Sequence, residues 1–319
     1  MDELSTDLKQ LLAKVAWLYH VDNLTQLEIA KRLQLSRPKV GRLLQRALDS
    51  GVLEIRLADD VSANIRLSRQ LEDTFGLHEV IIINSTGDHA TDRRMVGKAT
   101  ALYLQRVLHG NFLLGVGIGL TVNEIFPFIK PSPHLAEGTI VGISGGFSYP
   151  EISSIEISGR LAEKIGVRAE TIFAPFILEN TSARDVLMVE RNVKGQLEKA
   201  ARSTMIVTGI GSYDDMNHFC RLGYIDSEMK KRLSSQHAVG EILGQFYDID
   251  GHHISNILDE RMIGLSLDQL RNIPSVVGLA TGEQKAQALI GGVRNGVIKV
   301  LVLDDKLANK MLSLVQHVE

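Results

Sequence analysis

At 319 residues the chain has room for two domains, since single domains run to roughly 100–200 residues. Its 44% hydrophobic and 23% charged residues exclude a disordered chain; no apolar run reaches the ~18–20 residues of a membrane-spanning helix, and Met1-Asp2-Glu3 does not open a secretory signal. One cysteine, Cys220, excludes an internal disulfide and a cysteine-rich zinc site, and a net charge of −3 excludes a uniformly basic nucleic-acid coat, so a cytoplasmic protein without a membrane partner is expected.

Leu11, Leu12, Val15, Ala16 and Leu18 recur at helical spacing and predict an amphipathic helix ending near His20, before Asp22-Asn23. Thr25 stands three residues before Glu28, the spacing of a capping box, and Leu27, Ile29, Ala30 and Leu33 carry a second, short helix. After a turn at Gln34-Leu35, Ser36 is placed to cap a third helix. Pro38 is tolerated in its first turn, Val40, Leu43, Leu44, Ala47 and Leu48 form its apolar face, and Gly51 closes it.

Charge concentrates on these elements. Lys31, Arg32, Arg37, Lys39, Arg42 and Arg46 fall in a stretch free of Asp and Glu, so it carries +6 and the remainder must carry −9 to give −3. Two short helices joined by a tight turn, the second bearing cations away from its apolar face, are the requirements of a DNA-binding helix-turn-helix. Arg37, Lys39 and Arg42 are candidates for base edges and nearby phosphates, with Arg46 further along the same helix. Thr25, Gln26 and Ser36, at helix starts, are candidates for phosphate contacts. The alternative for Thr25 and Gln26 is an ordinary N-cap with a solvent-facing neighbour. The alternating segment 51–57 predicts a strand, for a small wing or for packing beneath the helices.

The run Leu24-Thr25-Gln26, Glu28-Ile29-Ala30, Leu35-Ser36-Arg37, Val40, Arg42-Leu43-Leu44 and Gly51-Val52 resembles the N-terminal module of the SorC family of sugar-responsive bacterial transcriptional regulators. Two positions depart from the family: Gln34 stands where glycine is common in the turn, and Gly41 where serine is frequent. The second loosens the helix by up to ~1 kcal/mol.

Residues 62–75 predict a connecting helix ending at Gly76. Short apolar strands then alternate with helical stretches. Strands are expected at 80–83, 112–116, 139–143, 170–173, 205–210, 276–280 and 297–303, the pattern of a doubly wound, mostly parallel α/β sheet. Residues 242–255, with the Asp250-Gly251 turn, predict an inserted β-hairpin. The expected division is a helix-turn-helix domain at 1–58 and an effector and oligomerisation domain at 59–319.

Ligands of such sheets collect at strand carboxyl ends. Gly115 to Thr121 lies there, its glycines allowing an anion close to the backbone just before a helix start. A tight packing turn is the alternative. It fits neither a dinucleotide fingerprint nor a nucleoside-triphosphate loop, because Leu120 replaces the last glycine and no Gly-Lys-Ser/Thr follows. Other strand ends supply Ser144-Gly145-Gly146, Ala174-Pro175, Gly209 to Ser212, and Thr281-Gly282-Glu283-Gln284-Lys285. Lys285 in a first helical turn repels the helix dipole unless an anion partners it. Asp248 could accept hydrogen bonds from sugar hydroxyls or simply begin the turn to Gly251.

The same segments, together with Ala238 to Gly244, Phe246-Tyr247-Asp248 and Leu303-Asp304-Asp305, resemble the effector domain of the SorC family, similar in fold to sugar-phosphate isomerases and deaminases. The resemblance implies a phosphorylated sugar or polyol bound by Gly117, Gly119, Leu120, Thr121, Asp248 and Lys285, with operator DNA as the other partner and a homodimer or homotetramer as the assembly. Thr281-Gly282 replaces the family's usual Gly-Gly, so effector identity does not carry over.

A regulator of a carbohydrate-utilisation operon is therefore expected. The alternative is a sugar-phosphate isomerase or deaminase with an accessory DNA-binding domain. Glu241, His252 and His253 offer acid–base groups, but no pairing specifies them, and His252-His253 with Asp259-Glu260 lacks a metal-ligand spacing. No catalytic residue, metal or cofactor is expected.

Overall fold

The computed structural model describes residues 6–54, 59–147, 149, 153–214 and 218–316. It divides into two compact units, residues 1–62 and 63–319.

In the first unit, α1 (Thr6–His20), α2 (Gln26–Leu33) and α3 (Arg37–Asp49) pack around Leu12, Val15, Leu18, Ile29, Val40, Leu43, Leu44 and Ala47, all buried. Burying a Leu or Val removes enough apolar surface to contribute about 1.5–3 kcal/mol, so these side chains fix how α3 sits on α1 and α2. The expected capping box is complete: Thr25 Oγ1 accepts from Glu28 N–H, and Thr25 N–H donates to the Glu28 carboxylate. Gln34 terminates α2 in the left-handed region at φ +53°, donating its N–H to Ala30 O and Lys31 O.

Two expectations change here. Ser36 occupies the N-cap of α3, yet its side chain makes no capping bond. Residues 51–54 form turn and bend rather than a strand, because Leu53 N–H folds back onto Ala47 O, while 55–57 lie outside the described residues.

The second unit begins along α4 (Asp59–Phe75). Its sheet contains β1 (Glu79–Ile83), β2 (Leu113–Val116), β3 (Thr139–Gly142), β4 (Arg168–Glu170), β5 (Met205–Gly209), β9 (Val276–Leu279) and β10 (Val300–Asp304), all pairs parallel. The order is β1-β10-β9-β5-β2-β3-β4. Helices cover both faces: α5 (His89–Val107), the one-turn α6 (Leu120–Asn123) and α7 (Ser154–Ile165) supply one apolar layer, while α9 (Arg191–Ala200), α13 (Ala286–Arg294) and α14 (Asp305–Gln316) supply the other. The strands alternate between them. Val300 and Val302 join the first layer, Leu301 and Leu303 the second. Such two-sided cover is why central strands such as β9 and β10 read as unbroken apolar runs.

Winding reverses between β2 and β5. From β2 the chain builds outward through β3 to β4; from β5 it builds the opposite way through β9 and β10. The carboxyl ends of β2 and β5 therefore flank a topological switch point, where open α/β sheets leave a crevice.

The remaining helices are α8 (Thr181–Val189), α10 (His218–Arg221), α11 (Ser227–Ser235) and α12 (Leu267–Arg271). A small antiparallel sheet joins β6 (Gly211–Ser212), β7 (Gly240–Ile242) and β8 (Gln245–Tyr247). Its hairpin turns at Leu243-Gly244, both left-handed at φ +51° and +71°, not at the Asp250-Gly251 turn expected. The latter turn also forms, with Gly251 N–H on Asp248 O, but the chain returns to β8 through only a bridge between Tyr247 and His253. The fourth strand also shifts, from 170–173 to 168–170, leaving Phe173 85% exposed beyond it.

Candidate effector cavity and DNA-facing helix

At the switch point a cavity of about 300 Å³ opens. Gly119, Leu120 and Thr121 line it from the β2 end, Gly209 to Gly211 from the β5 end, and Thr281, Gln284 and Lys285 from the β9 end. Opposite stand His89 and Arg93 of α5, His218 and Arg221 of α10, and Glu241 of β7.

Local structure explains these positions. Gly119 has φ +137°, a backbone state that side-chain-bearing residues rarely adopt, and it brings the loop close to Gly209. Lys285 ends a short 3-10 turn (Glu283–Lys285) and donates to Ile210 O at 2.8 Å. The loop before it is tied down by Asp304, whose carboxylate accepts from Gly282 N–H at 2.7 Å and Leu307 N–H at 2.9 Å. Arg93 is positioned by the start of α5. Asp88 caps that helix through Thr91, while buried Asp92 accepts from Thr86 N–H and from the Ser85 and Thr86 hydroxyls at 2.7–2.8 Å. Burial alone would raise the Asp92 carboxyl; these bonds, with Gly87 N–H, outweigh it and hold it below its ordinary value.

Cations dominate the lining. Arg93, Arg221 and Lys285 oppose the carboxylate of Glu241, which accepts from Gly244 N–H at 2.7 Å. The Arg93 Nε is buried and has no hydrogen-bond partner among the described residues. Burial pushes the half-buried Lys285 ammonium down from its ordinary value, with Glu241 and Asp214 acting against the fall and Arg93 adding to it. His218 is also pushed down, first by burial and then by Lys285, Arg221 and Arg93.

Of the six expected effector residues, the cavity gathers Gly119, Leu120, Thr121 and Lys285. Gly117 is displaced from the lining: a Cβ there would meet Thr208 Oγ1 at 2.4 Å, so it is glycine because β5 approaches, and its N–H extends the ladder to Val207 O. Asp248 is also outside. It accepts from Asp250 N–H, His252 N–H and His252 Nδ1 and so organises the turn to Gly251. The helix after Gly119 has one turn only, too short for the full macrodipole expected of it. His89, Arg93, His218 and Arg221 went unnoticed in the sequence. For His89 and Arg93 the signal was there, since a cation near a helix start after β1 invites the reasoning applied to Lys285.

In the first unit, Arg37, Lys39, Arg42 and Arg46 are exposed along α3, opposite its buried Val40, Leu43, Leu44 and Ala47. Ser36 is exposed at the helix start. Gln26 is half-buried, its Oε1 3.5 Å from where a Cβ on Gly41 would lie. The Thr25 hydroxyl both accepts from Glu28 N–H and donates to the Glu28 carboxylate.

Residues 59–313 match the family model described as a putative sugar-binding domain. The transcriptional regulator LsrR of Enterobacter sp. (strain 638) is 30% identical over 309 residues, covering 96% of this chain and 94% of that protein. The chain belongs to the SorC family of transcriptional regulators. The full-length sorbitol operon regulator SorC from Klebsiella pneumoniae superposes with a TM-score of 0.73 at 26% identity, over 96% of this chain and all of that one. The deoxyribonucleoside regulator of Bacillus subtilis is 26% identical over 97% of this chain and 99% of its own length. This SorC-family member is thus a transcriptional regulator carrying a sugar-binding domain. Among its described residues no helix is long and apolar enough to cross a membrane, and no cluster of three His, Cys, Asp or Glu side chains is arranged around a metal position.

Proposed function

We propose that this SorC-family regulator binds the operator of a carbohydrate-utilisation operon through α3 and is switched by a phosphorylated sugar or polyol held in the switch-point cavity. The observation that carries the effector half is the Arg93 guanidinium, its Nε buried and unpartnered beside Lys285 and Arg221. A buried donor without an acceptor is costly, about 1–3 kcal/mol, and a ligand oxygen relieves it. Phosphate oxygens form charge-assisted hydrogen bonds of about 1.5–3 kcal/mol with such groups, whereas a neutral sugar hydroxyl gains about 0.5–1.5 kcal/mol. The phosphate therefore supplies most of the affinity. Thr121 Oγ1, the Gly119–Leu120 backbone and Lys285 bind it together with Arg93, and the sugar lies towards Glu241 and Thr281.

Regulation requires that the effector bind the operator-competent and operator-incompetent states unequally. The test is calorimetry of the full chain with matched phosphorylated and free sugars, before and after Lys285→Ala. We expect the variant to weaken the phosphorylated ligand strongly and the free sugar little; equal losses would remove the phosphate assignment. Glu241 and His218 share the cavity, which is what a proton-shuttling isomerase would need. Incubating the chain with the bound sugar phosphate and following its NMR spectrum separates the two readings, because a regulator returns the ligand unchanged.

A further inference from the structure

His218 stands in the cavity among fixed cations. Arg221 lies one turn on along α10, Arg93 and His89 face it from α5, Lys285 from the 3-10 turn after β9, and the one carboxylate in the lining, among the described residues, is Glu241 on β7. An imidazole so placed meets two opposed situations. With the cavity empty, three positive groups and partial burial disfavour a further charge. With a dianion seated between Arg93 and Lys285, the local field reverses sign, and a protonated imidazole becomes a donor to the ligand.

We infer that His218 is a further anion-binding residue of this cavity and that it takes up a proton as a dianionic ligand enters, so that effector binding tightens with acidity. The inference rests on the proposed anion site and adds to it a group that the sequence did not single out. Its sign follows from linkage. In the empty protein His218 sits below its ordinary value because burial, Lys285, Arg221 and Arg93 favour the neutral ring; a bound dianion moves it upward. Affinity then rises as the pH falls through the liganded pKa and levels off below the unliganded one, with a slope of at most about tenfold per pH unit for one proton. His89 is the other titratable imidazole facing the cavity, whereas Arg93 and Arg221 keep their charge throughout.

Sulfate is the probe, because its charge stays at −2 across the whole range while that of a phosphate ester changes. Isothermal titration of the full chain with sodium sulfate, chloride holding the ionic strength constant, should give binding at least about threefold tighter near pH 5.5 than near pH 8. His218→Gln should abolish that dependence, and His89→Gln should retain it. A second measurement needs no variant: titrating the unmodified chain in two buffers of different ionisation enthalpy should report net proton uptake on sulfate binding. Absence of proton uptake, or a pH dependence surviving intact in His218→Gln, would overturn the role of His218 and leave the anion site standing. Sulfate failing to bind at any pH would overturn both.

Discussion

Single residues decide how firmly each unit holds its functional surface. Gln34 adopts φ +53° at the end of α2, a conformation that costs a side-chain-bearing residue about 1 kcal/mol and glycine nothing. Gln34 is exposed, so Gln34→Gly loses no buried contact. We expect it to stabilise the helix-turn-helix by about 0.5–1 kcal/mol, read as a higher urea midpoint; a lower midpoint would show that the Gln side chain supports the turn. In the second unit Asp92 supplies a pH-dependent restraint. Its carboxyl is held below the unfolded value, so the stability it contributes is present above that value and lost as the pH falls through the folded one. Asp92→Asn should lower stability at neutral pH and flatten the acid limb of the urea midpoint from about pH 5 down to about pH 2. An unchanged acid limb would assign the loss to other carboxylates.

At the scale of elements, what was legible in the sequence depends on how local each signal is. The three N-terminal helices were readable because spacing, caps and turn all lie within a few residues, and β9 and β10 because burial on both faces leaves an apolar run. β4 was misplaced for the converse reason. It is an edge strand whose paired residues, Arg168, Ala169 and Glu170, are largely polar, while the apolar Ile172 and Phe173 beyond it drew the expectation. The hairpin was missed because its turn starts with Leu243 at positive φ, where Asn or Gly is the usual signal. Two terms compete there. Leu243→Asn would relieve about 1 kcal/mol of backbone strain, yet Leu243 is 1% exposed, and removing a buried leucine side chain costs about 2–5 kcal/mol. Burial wins, and the variant should be destabilised by about 1–4 kcal/mol in denaturant unfolding. The cationic wall was the least legible part of the site. Arg93 and His218 are far apart in sequence, and only the return of β7 and α10 over the sheet brings them to the same cavity. For α3, the exposed cations predict a salt-dependent interaction with operator DNA. Arg42→Ala should cost about 1–3 kcal/mol and relax the preference at one base pair if Arg42 reads a base edge; uniform weakening across sequences would make it a phosphate contact instead.

For the whole molecule, one helix-turn-helix reads one half-site, so an operator with two-fold symmetry calls for at least two copies. Sedimentation of the full chain should show a dimer or tetramer, and a monomer both free and on operator would refute that assembly. Coupling between the two functions is reciprocal: operator DNA must change effector affinity by the factor by which effector changes operator affinity. Titrating effector with and without operator measures that factor directly, and a factor of one would mean that the cavity does not switch the DNA-binding surface.

The switch-point arrangement separates architecture from chemistry. The strands of the sheet supply the apolar layers, whereas the polar groups of the cavity come from segments beyond or opposite the strand ends: Thr121, Thr281 and Lys285 from the turns after the strands, Arg93 and His218 from helices, and Glu241 from the small second sheet. These side chains lie outside the apolar layers of the sheet, so under the proposed function the same scaffold is turned towards a different sugar by changing a position such as Thr281, on the side given to the sugar. A reporter gene placed behind the operator would make each such variant a sensor whose specificity is selected in living cells.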